Sequence, residues 1–247
     1  MNKKVWNDFC RVKEEYRTYT HSLILQVPEL KSAQEKLIAE RDGGSYPLET
    51  PIVFNNALDE ITQHDEIKLI LVADNPGKRE QEAINQRYLV GASGKIADGF
   101  FKKNPELGID FRKNVIILNK TPIHTARTIE LKKLIELGGT DVKKAAEDSQ
   151  RKMAELLYQF QKALGGIPVW IIGYSEMKKK GLFEIYTDTI KSLYPETEPL
   201  RQKIFLYRHF SMNQFTIDLN QRKLQDENTA DSLKRIGEEY RQRILGW

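Results

Sequence analysis

The stretch Ile67-Lys68-Leu69-Ile70-Leu71-Val72-Ala73-Asp74-Asn75-Pro76-Gly77-Lys78-Arg79 decides the architecture. Ile67–Ala73 is apolar and β-branched apart from Lys68, and it stops abruptly at Asp74-Asn75-Pro76-Gly77. A short apolar run ending in a Pro-Gly turn predicts a buried strand that leaves its sheet sharply. Pro76 fixes the backbone, and Gly77 allows a close approach to a ligand. Asp74 and Asn75 bring hydrogen-bonding side chains to the carboxyl end of the strand, where open α/β sheets hold ligands.

Three later runs repeat the pattern. Val115–Leu118 ends at Asn119-Lys120-Thr121-Pro122-Ile123-His124-Thr125. Ile167–Ile172 ends at Gly173-Tyr174-Ser175, and Lys203–Tyr207 ends at Arg208-His209-Phe210-Ser211-Met212-Asn213. Helical periodicity separates them, over Lys95–Lys103, 129–137 and 142–164. Short apolar strands alternating with helices predict a three-layer α/β/α sandwich around a four-stranded parallel sheet. Parallel strands share one carboxyl edge, so Asp74, Asn75, Asn119, Tyr174 and His209 are expected to converge there.

Residues 1–66 read as a polar helical extension packed on this core, and 67–247 as the α/β domain. Val5, Phe9, Val12 and Tyr16 recur at helical spacing, as do Leu30, Ala33, Leu37 and Ile38. Asp42–Pro47 reads as a turn, Phe54–Ile61 as a short helix, and Asp218–Trp247 as one polar helix with Leu224, Leu233 and Ile236 inside. The chain has 247 residues, 40% of them hydrophobic, which suffices for one sizeable core. A net charge of +4 permits a nucleic-acid partner without requiring one. The single cysteine, Cys10, excludes an internal disulfide and a cysteine-ligated cluster. The polar start and the lack of a long apolar run predict no signal peptide, no membrane span and a cytoplasmic setting.

Gly91-Ala92-Ser93-Gly94-Lys95 is a small-residue turn opening a helix, which suits a phosphate through backbone N–H groups. It is not a Walker A loop, because Leu89 and Ile96 occupy the positions that need glycine and a hydroxyl. Ordinary loop-to-helix turns share this composition. Lys178-Lys179-Lys180 reads first as a solvated helix face. His21 and His64 are isolated and suggest no chemistry.

Together these segments resemble the uracil-DNA glycosylase superfamily. Ala73-Asp74-Asn75-Pro76-Gly77 is similar to its Gly-x-x-Pro-Gly motif, with Glu80 where several branches also carry Glu. Leu89-Val90-Gly91-Ala92-Ser93-Gly94 resembles the Phe-Val-Gly-x-x-Gly segment of the iron–sulfur branches. Asn119 sits like the base-reading asparagine, and His209-Phe210-Ser211 resembles His-Pro-Ser. The resemblance spans roughly Ile67 to Phe215. It implies a monomeric, metal-free and cofactor-free enzyme acting on DNA that contains uracil or another deaminated base.

The resemblance implies catalytic roles for Asn75 and His209, and base binding by Asp74, Gly77, Asn119 and a wall at Leu89 or Tyr88. It implies DNA contact through Ser93, Lys95, Lys120, Arg208, Phe210 and Ser211, with Phe210 or Met212 as an apolar wedge. The chemistry suits these residue types. Breaking the glycosidic bond leaves negative charge on the departing base, which a histidine donor stabilises. An asparagine amide accepts from uracil N3–H while donating to O4. Asn75 stands where the most active branch has Asp; an amide orients water without taking its proton. Two other readings remain: a nucleic-acid or nucleotide-binding relative without the reaction, and a small-molecule hydrolase using His124 or His209 with Asp74.

Overall fold

A computed structural model describes residues 1–41 and 44–247. Asp42 and Gly43, part of the turn expected over Asp42–Pro47, lie outside the described residues. In chain order the elements are α1 (Lys3–Gln26), α2 (Glu29–Ala39), β1 (Leu69–Ala73), α3 (Ala92–Lys103), β2 (Val115–Asn119), α4 (Glu130–Ala163), β3 (Val169–Ile172), α5 (Glu184–Leu193), β4 (Ile204–Tyr207), α6 (Gln214–Arg222) and α7 (Thr229–Leu245). The fold is the expected three-layer α/β/α sandwich. Its four strands are all parallel in the order β2-β1-β3-β4.

The central strands are buried on both faces, which is why they read as unbroken apolar runs rather than alternating ones. Helix α4 packs with α1, α2 and α5, whereas α7 packs along β4. Trp170 of β3 stacks on Phe101 of α3 and Phe215 of α6, filling the space between those helices and the sheet. The strand order reverses between β1 and β3: β1 leads outward to β2 on one side, and β3 to β4 on the other. The loops leaving β1 and β3 therefore diverge and open a crevice at their carboxyl ends, the usual ligand position in open α/β sheets.

Residues 1–66 join the same buried core through Phe9, Val12 and Tyr16. Beyond the helices, Ile52 forms an antiparallel bridge with Ile123, and Pro51 and Val53 exchange backbone hydrogen bonds with His124 and Pro122. The helix expected over Phe54–Ile61 is only a short 3-10 turn, Asn56–Asp59. The helices expected over 129–137 and 142–164 run together as α4, broken at Gly139, whose φ of 69° is left-handed. The single helix expected over Asp218–Trp247 is two. Asn228 caps α7 by accepting from the Asp231 N–H, and Leu224 lies in the preceding loop at 58% exposure rather than inside. No helix among the described residues is long and apolar enough to cross a membrane.

Candidate functional site

A cavity of about 860 Å³ occupies the carboxyl edge at the β1/β3 crevice. All four post-strand loops contribute: Asp74, Asn75, Gly77 and Leu89 after β1; Thr125, Arg127 and Thr128 after β2; Tyr174 and Glu176 after β3; and Arg208, His209, Ser211 and Met212 after β4. Ser93 of α3 and Arg243 of α7 complete the wall.

The Asp74–Gly77 turn is held from every side. The Asn75 Nδ2 donates to the Thr125 carbonyl at 3.1 Å and to its hydroxyl at 2.9 Å. A carbonyl only accepts, so this fixes the amide orientation and leaves Oδ1 free to accept. The Pro76 carbonyl accepts from His124 Nδ1 at 2.8 Å, which makes His124 Nε2 the acceptor for the Tyr46 hydroxyl at 2.9 Å. Burial holds His124 far below its ordinary 6.5, at about 4, so it stays neutral. Both its nitrogens are engaged and it is 1% exposed, so it braces the turn rather than facing a substrate.

Glu80 lines the cavity yet is 7% exposed, and its Oε2 accepts from the Gly77 N–H at 3.0 Å. Burial raises its carboxyl to about 7, against the lowering effect of backbone N–H groups at Gly77 and Leu89. The Asp74 carboxylate accepts from the Lys120 ammonium and from the Thr128 hydroxyl. It packs so closely on Gly173, at φ +76°, that a Cβ there would lie 2.6 Å from its Oδ1. No hydrogen bond joins Asp74 to either His124 or His209, although its charge acts on His209.

His209 Nδ1 accepts from the Ser211 N–H at 3.0 Å, with the Ser211 hydroxyl at 2.9 Å. A ring nitrogen accepting a backbone N–H carries no proton, so the neutral ring holds its proton on Nε2 and is a donor there. Burial, the largest influence, lowers the His209 pKa; Asp74 opposes it. The imidazole therefore donates as a neutral group.

Asn119 ends β2 in register with Ala73, a residue of the cavity lining. It is 1% exposed, and neither its Oδ1 nor its Nδ2 has a partner among the described residues. Folded proteins pair nearly every buried polar group, so this wholly unpaired amide is an exception to the rule. Asn75 and His209 both line the cavity; Asn119, expected with them, is not among the lining residues and adjoins the cavity only through its register with Ala73.

Three sequence expectations need correction. Tyr88 is not a cavity wall: it is fully buried, and its hydroxyl bonds Tyr16 and the Val53 carbonyl. Leu89 takes that place, at a left-handed φ of 51°. Its carbonyl abuts α3 so tightly that a Cβ on Gly94 would fall 1.5 Å away, which explains the second glycine of the segment. Lys120 is not at the surface for phosphate. It is 0% exposed, and its ammonium joins Asp74 to the Ile172 carbonyl, tying β1, β2 and β3 together. Phe210 is not a wedge: it is 0% exposed and stacks on Phe215 at 4.3 Å, leaving Met212 as the exposed residue of that loop.

Of the other rim candidates, Ser93, Arg208 and Ser211 line the cavity, while Lys95 is exposed in the first turn of α3 outside it. Arg208 is oriented by Asp218 at 3.3 Å. The sequence reading missed Arg127, Thr125, Thr128 and Arg243. The first three were readable from Thr-Ala-Arg-Thr following Asn119 on the same loop. Arg243 had no local signal; it reaches the site because α7 packs on β4, and its guanidinium lies over Tyr240 at 4.6 Å and Tyr174 at 5.2 Å. Neither Arg127 nor Arg243 has a carboxylate partner among the described residues, where no group of three or more His, Cys, Asp or Glu could hold a metal either. Comparison of the sequence with protein-family models and with curated proteins found no match to either.

Proposed function

We propose that the chain is a DNA N-glycosylase acting on uracil or a related deaminated base. The observation that carries this reading is the buried, wholly unpartnered Asn119 amide, in register with Ala73 of a cavity whose wall holds His209 and Asn75. A uracil edge offers what that amide lacks: an N3–H for Oδ1 and an O4 for Nδ2. Cytosine presents the reverse pattern, so an amide held in this orientation rejects it. With its proton on Nε2, His209 donates to the uracil O2, where charge develops as the C1′–N1 bond breaks and its electrons leave with the base. Water held by the Asn75 Oδ1 adds to C1′ and sheds its proton to solvent. The target nucleotide must leave the stack to enter the cavity. Arg127, Arg208 and Arg243 around the mouth suit the phosphates beside it.

One observation favours a second reading, a binding module that recognises the nucleotide without cleaving it. The water-facing group of the turn is an amide, and its Nδ2 is tied down by Thr125. Crystals soaked with free uracil test the recognition step shared by both readings. The proposal expects uracil with N3 and O4 on Asn119 and O2 within reach of His209 Nε2, and no density for cytosine. Uracil bound elsewhere, or equal binding of cytosine, refutes the assignment of Asn119.

A further inference from the structure

Residues 1–66 lie outside the resemblance, and none of them lines the cavity. Yet the stretch Tyr46–Asn55 is bonded to both loops that build the cavity wall after β1 and β2. The Tyr46 hydroxyl meets His124 Nε2 at 2.9 Å, and the same ring donates from Nδ1 to the Pro76 carbonyl. Gln81, next to Glu80, accepts from the Glu49 and Thr50 N–H groups at 2.7 and 3.1 Å and donates to the Pro47 carbonyl at 3.1 Å. The Asn55 Nδ2 donates to the Ile117 carbonyl at 2.8 Å, and its Oδ1 accepts from the Tyr88 N–H, one residue before the Leu89 wall. From α2, Gln34 Nε2 donates to the Pro51 and His124 carbonyls at 2.9 and 2.8 Å. Gln34, Asn55, Gln81 and His124 are each only 1% exposed. A buried polar side chain returns little net stability even when paired; what it adds is direction, by fixing where backbone atoms sit. These bonds close on the Asp74–Gly77 turn from two sides. The Pro76 carbonyl is held through His124, and the Gly77 N–H through Glu80, whose neighbour Gln81 is gripped by residues 47–50. Thr125, adjacent to His124, orients the Asn75 amide.

We propose that the N-terminal extension is the positioning element of the cavity: Gln34 and Tyr46 are positioning residues that, through His124, hold the Asp74–Gly77 turn and the Asn75 amide in their ligand-ready shape before a ligand arrives. Sites work when their groups are held in place by supports that are themselves bonded and packed. The Pro76 bond depends on a tautomer. A carbonyl cannot donate, so His124 carries its proton on Nδ1, and the Tyr46 hydroxyl occupies the other nitrogen as a donor. Without that hydroxyl Nε2 is free to take the proton, and Nδ1 then has nothing to give to Pro76. One hydroxyl of the extension therefore sets a bond that shapes the turn, while Gln34 sets the backbone from which the ring projects. This positioning serves whatever the cavity binds, so it stands apart from the base-release reading.

The test is read by NMR on the ligand-free chain. Neither Tyr46 nor Gln34 lines the cavity, so Tyr46→Phe and Gln34→Met leave its wall intact, and melting temperature confirms that each folds. In Tyr46→Phe the ring nitrogen shifts of His124 should move from the Nδ1–H form toward the Nε2–H form. Exchange of the Gly77 and Thr125 amides, which bond Glu80 and Pro76, should quicken about tenfold, the equilibrium worth of one hydrogen bond. Leu71, in the centre of the sheet, should keep its wild-type rate. Gln34→Met should quicken the same two amides with the His124 ring still in its Nδ1–H form. An unchanged ratio of Gly77 to Leu71 exchange in both variants overturns the proposal, since a merely structural contribution loosens the two together or neither. A His124 ring unchanged in Tyr46→Phe overturns the part assigned to that hydroxyl. In base release from a single-stranded uracil oligonucleotide, each variant should lose about tenfold or more in kcat; a wild-type kcat despite a loosened turn overturns the proposal as well. Wild-type protein that releases no base overturns the base-release reading, and the exchange ratio then decides the positioning by itself.

Discussion

Replacing Glu80 by Gln tests the electrostatics of the site through stability alone. The carboxyl is 7% exposed, forms no ion pair among the described residues, and is raised from an ordinary 4.5 to about 7, mainly by burial. Below 4.5 it is protonated whether the chain is folded or not. Between 4.5 and about 7 the folded chain keeps a proton that the unfolded chain has released, so stability from this group falls as pH rises through that window and levels off above it. Each pH unit is worth about 1.4 kcal/mol, so ionising Glu80 costs the fold on the order of 3 kcal/mol. Gln keeps the shape and the acceptor for the Gly77 N–H but does not titrate. The variant should match the wild type near pH 4.5 and exceed it by about 3 kcal/mol at pH 8, or roughly 5–10 °C in melting temperature. His124 titrates oppositely: lowered from 6.5 to about 4, its stabilisation is present above 6.5 and is lost as pH falls toward 4. Removing Glu80 therefore unmasks a steeper acid loss. Urea denaturation from pH 4.5 to 8 measures both; a wild-type-minus-variant difference independent of pH refutes the reasoning.

The remaining predictions concern the brace, the buried ion pair and the reaction. His124→Ala strands the Tyr46 hydroxyl and takes from the Pro76 carbonyl its 2.8 Å donor, leaving it the Thr125 N–H and the Asn75 Nδ2 at 3.3 Å each; the loss should be about 1–3 kcal/mol, and less in His124→Asn, which keeps the donor to Pro76, in urea denaturation. Equal losses would remove the Pro76 bond from the account. Lys120→Met should cost about 3–5 kcal/mol by stranding the Asp74 carboxylate, and adding Asp74→Asn should recover part of it; strictly additive losses would show that the pair is not coupled. In base-release kinetics, His209→Ala should lower the rate about 10²–10³-fold with little change in substrate affinity. Asn119→Asp should reduce uracil excision and admit trace cytosine; unchanged base preference would rule out Asn119 as the reader.

The sheet was legible because β1, β2 and β3 are apolar runs buried on both faces, each of the four strands stops abruptly at polar or turn residues, and parallel strands bring such ends to one edge. What remained hidden depended on tertiary register. Lys120 reads as a surface cation beside Asn119, but the pairing of Ala73 with Asn119 sets it against Asp74 and closes it over. Phe210 follows His209 and reads as exposed in a loop; its burial is decided by Phe215, on the helix that begins just afterwards. Tyr88 and Leu89 are adjacent, and only the buried hydroxyl partners of Tyr88 decide which of the two faces the cavity. The break before α7 was readable, since Asn228 followed by Asp231 is a capping pattern, but the surrounding polar periodicity obscured it. Arg243 needed the packing of α7 on β4, which no local pattern specifies.

The central claim is that Asn119, His209 and Asn75 release a deaminated base from DNA. Its most direct test is the appearance of free base, separated chromatographically, after purified protein is incubated with oligonucleotides containing uracil, hypoxanthine or xanthine, single-stranded and paired. The account predicts free uracil from the uracil substrate, with the remaining strand cleavable by alkali at the abasic site, and loss of that signal in His209→Ala. Tight binding of the same oligonucleotides with no base released from any of them would contradict it and leave the binding-module reading in its place.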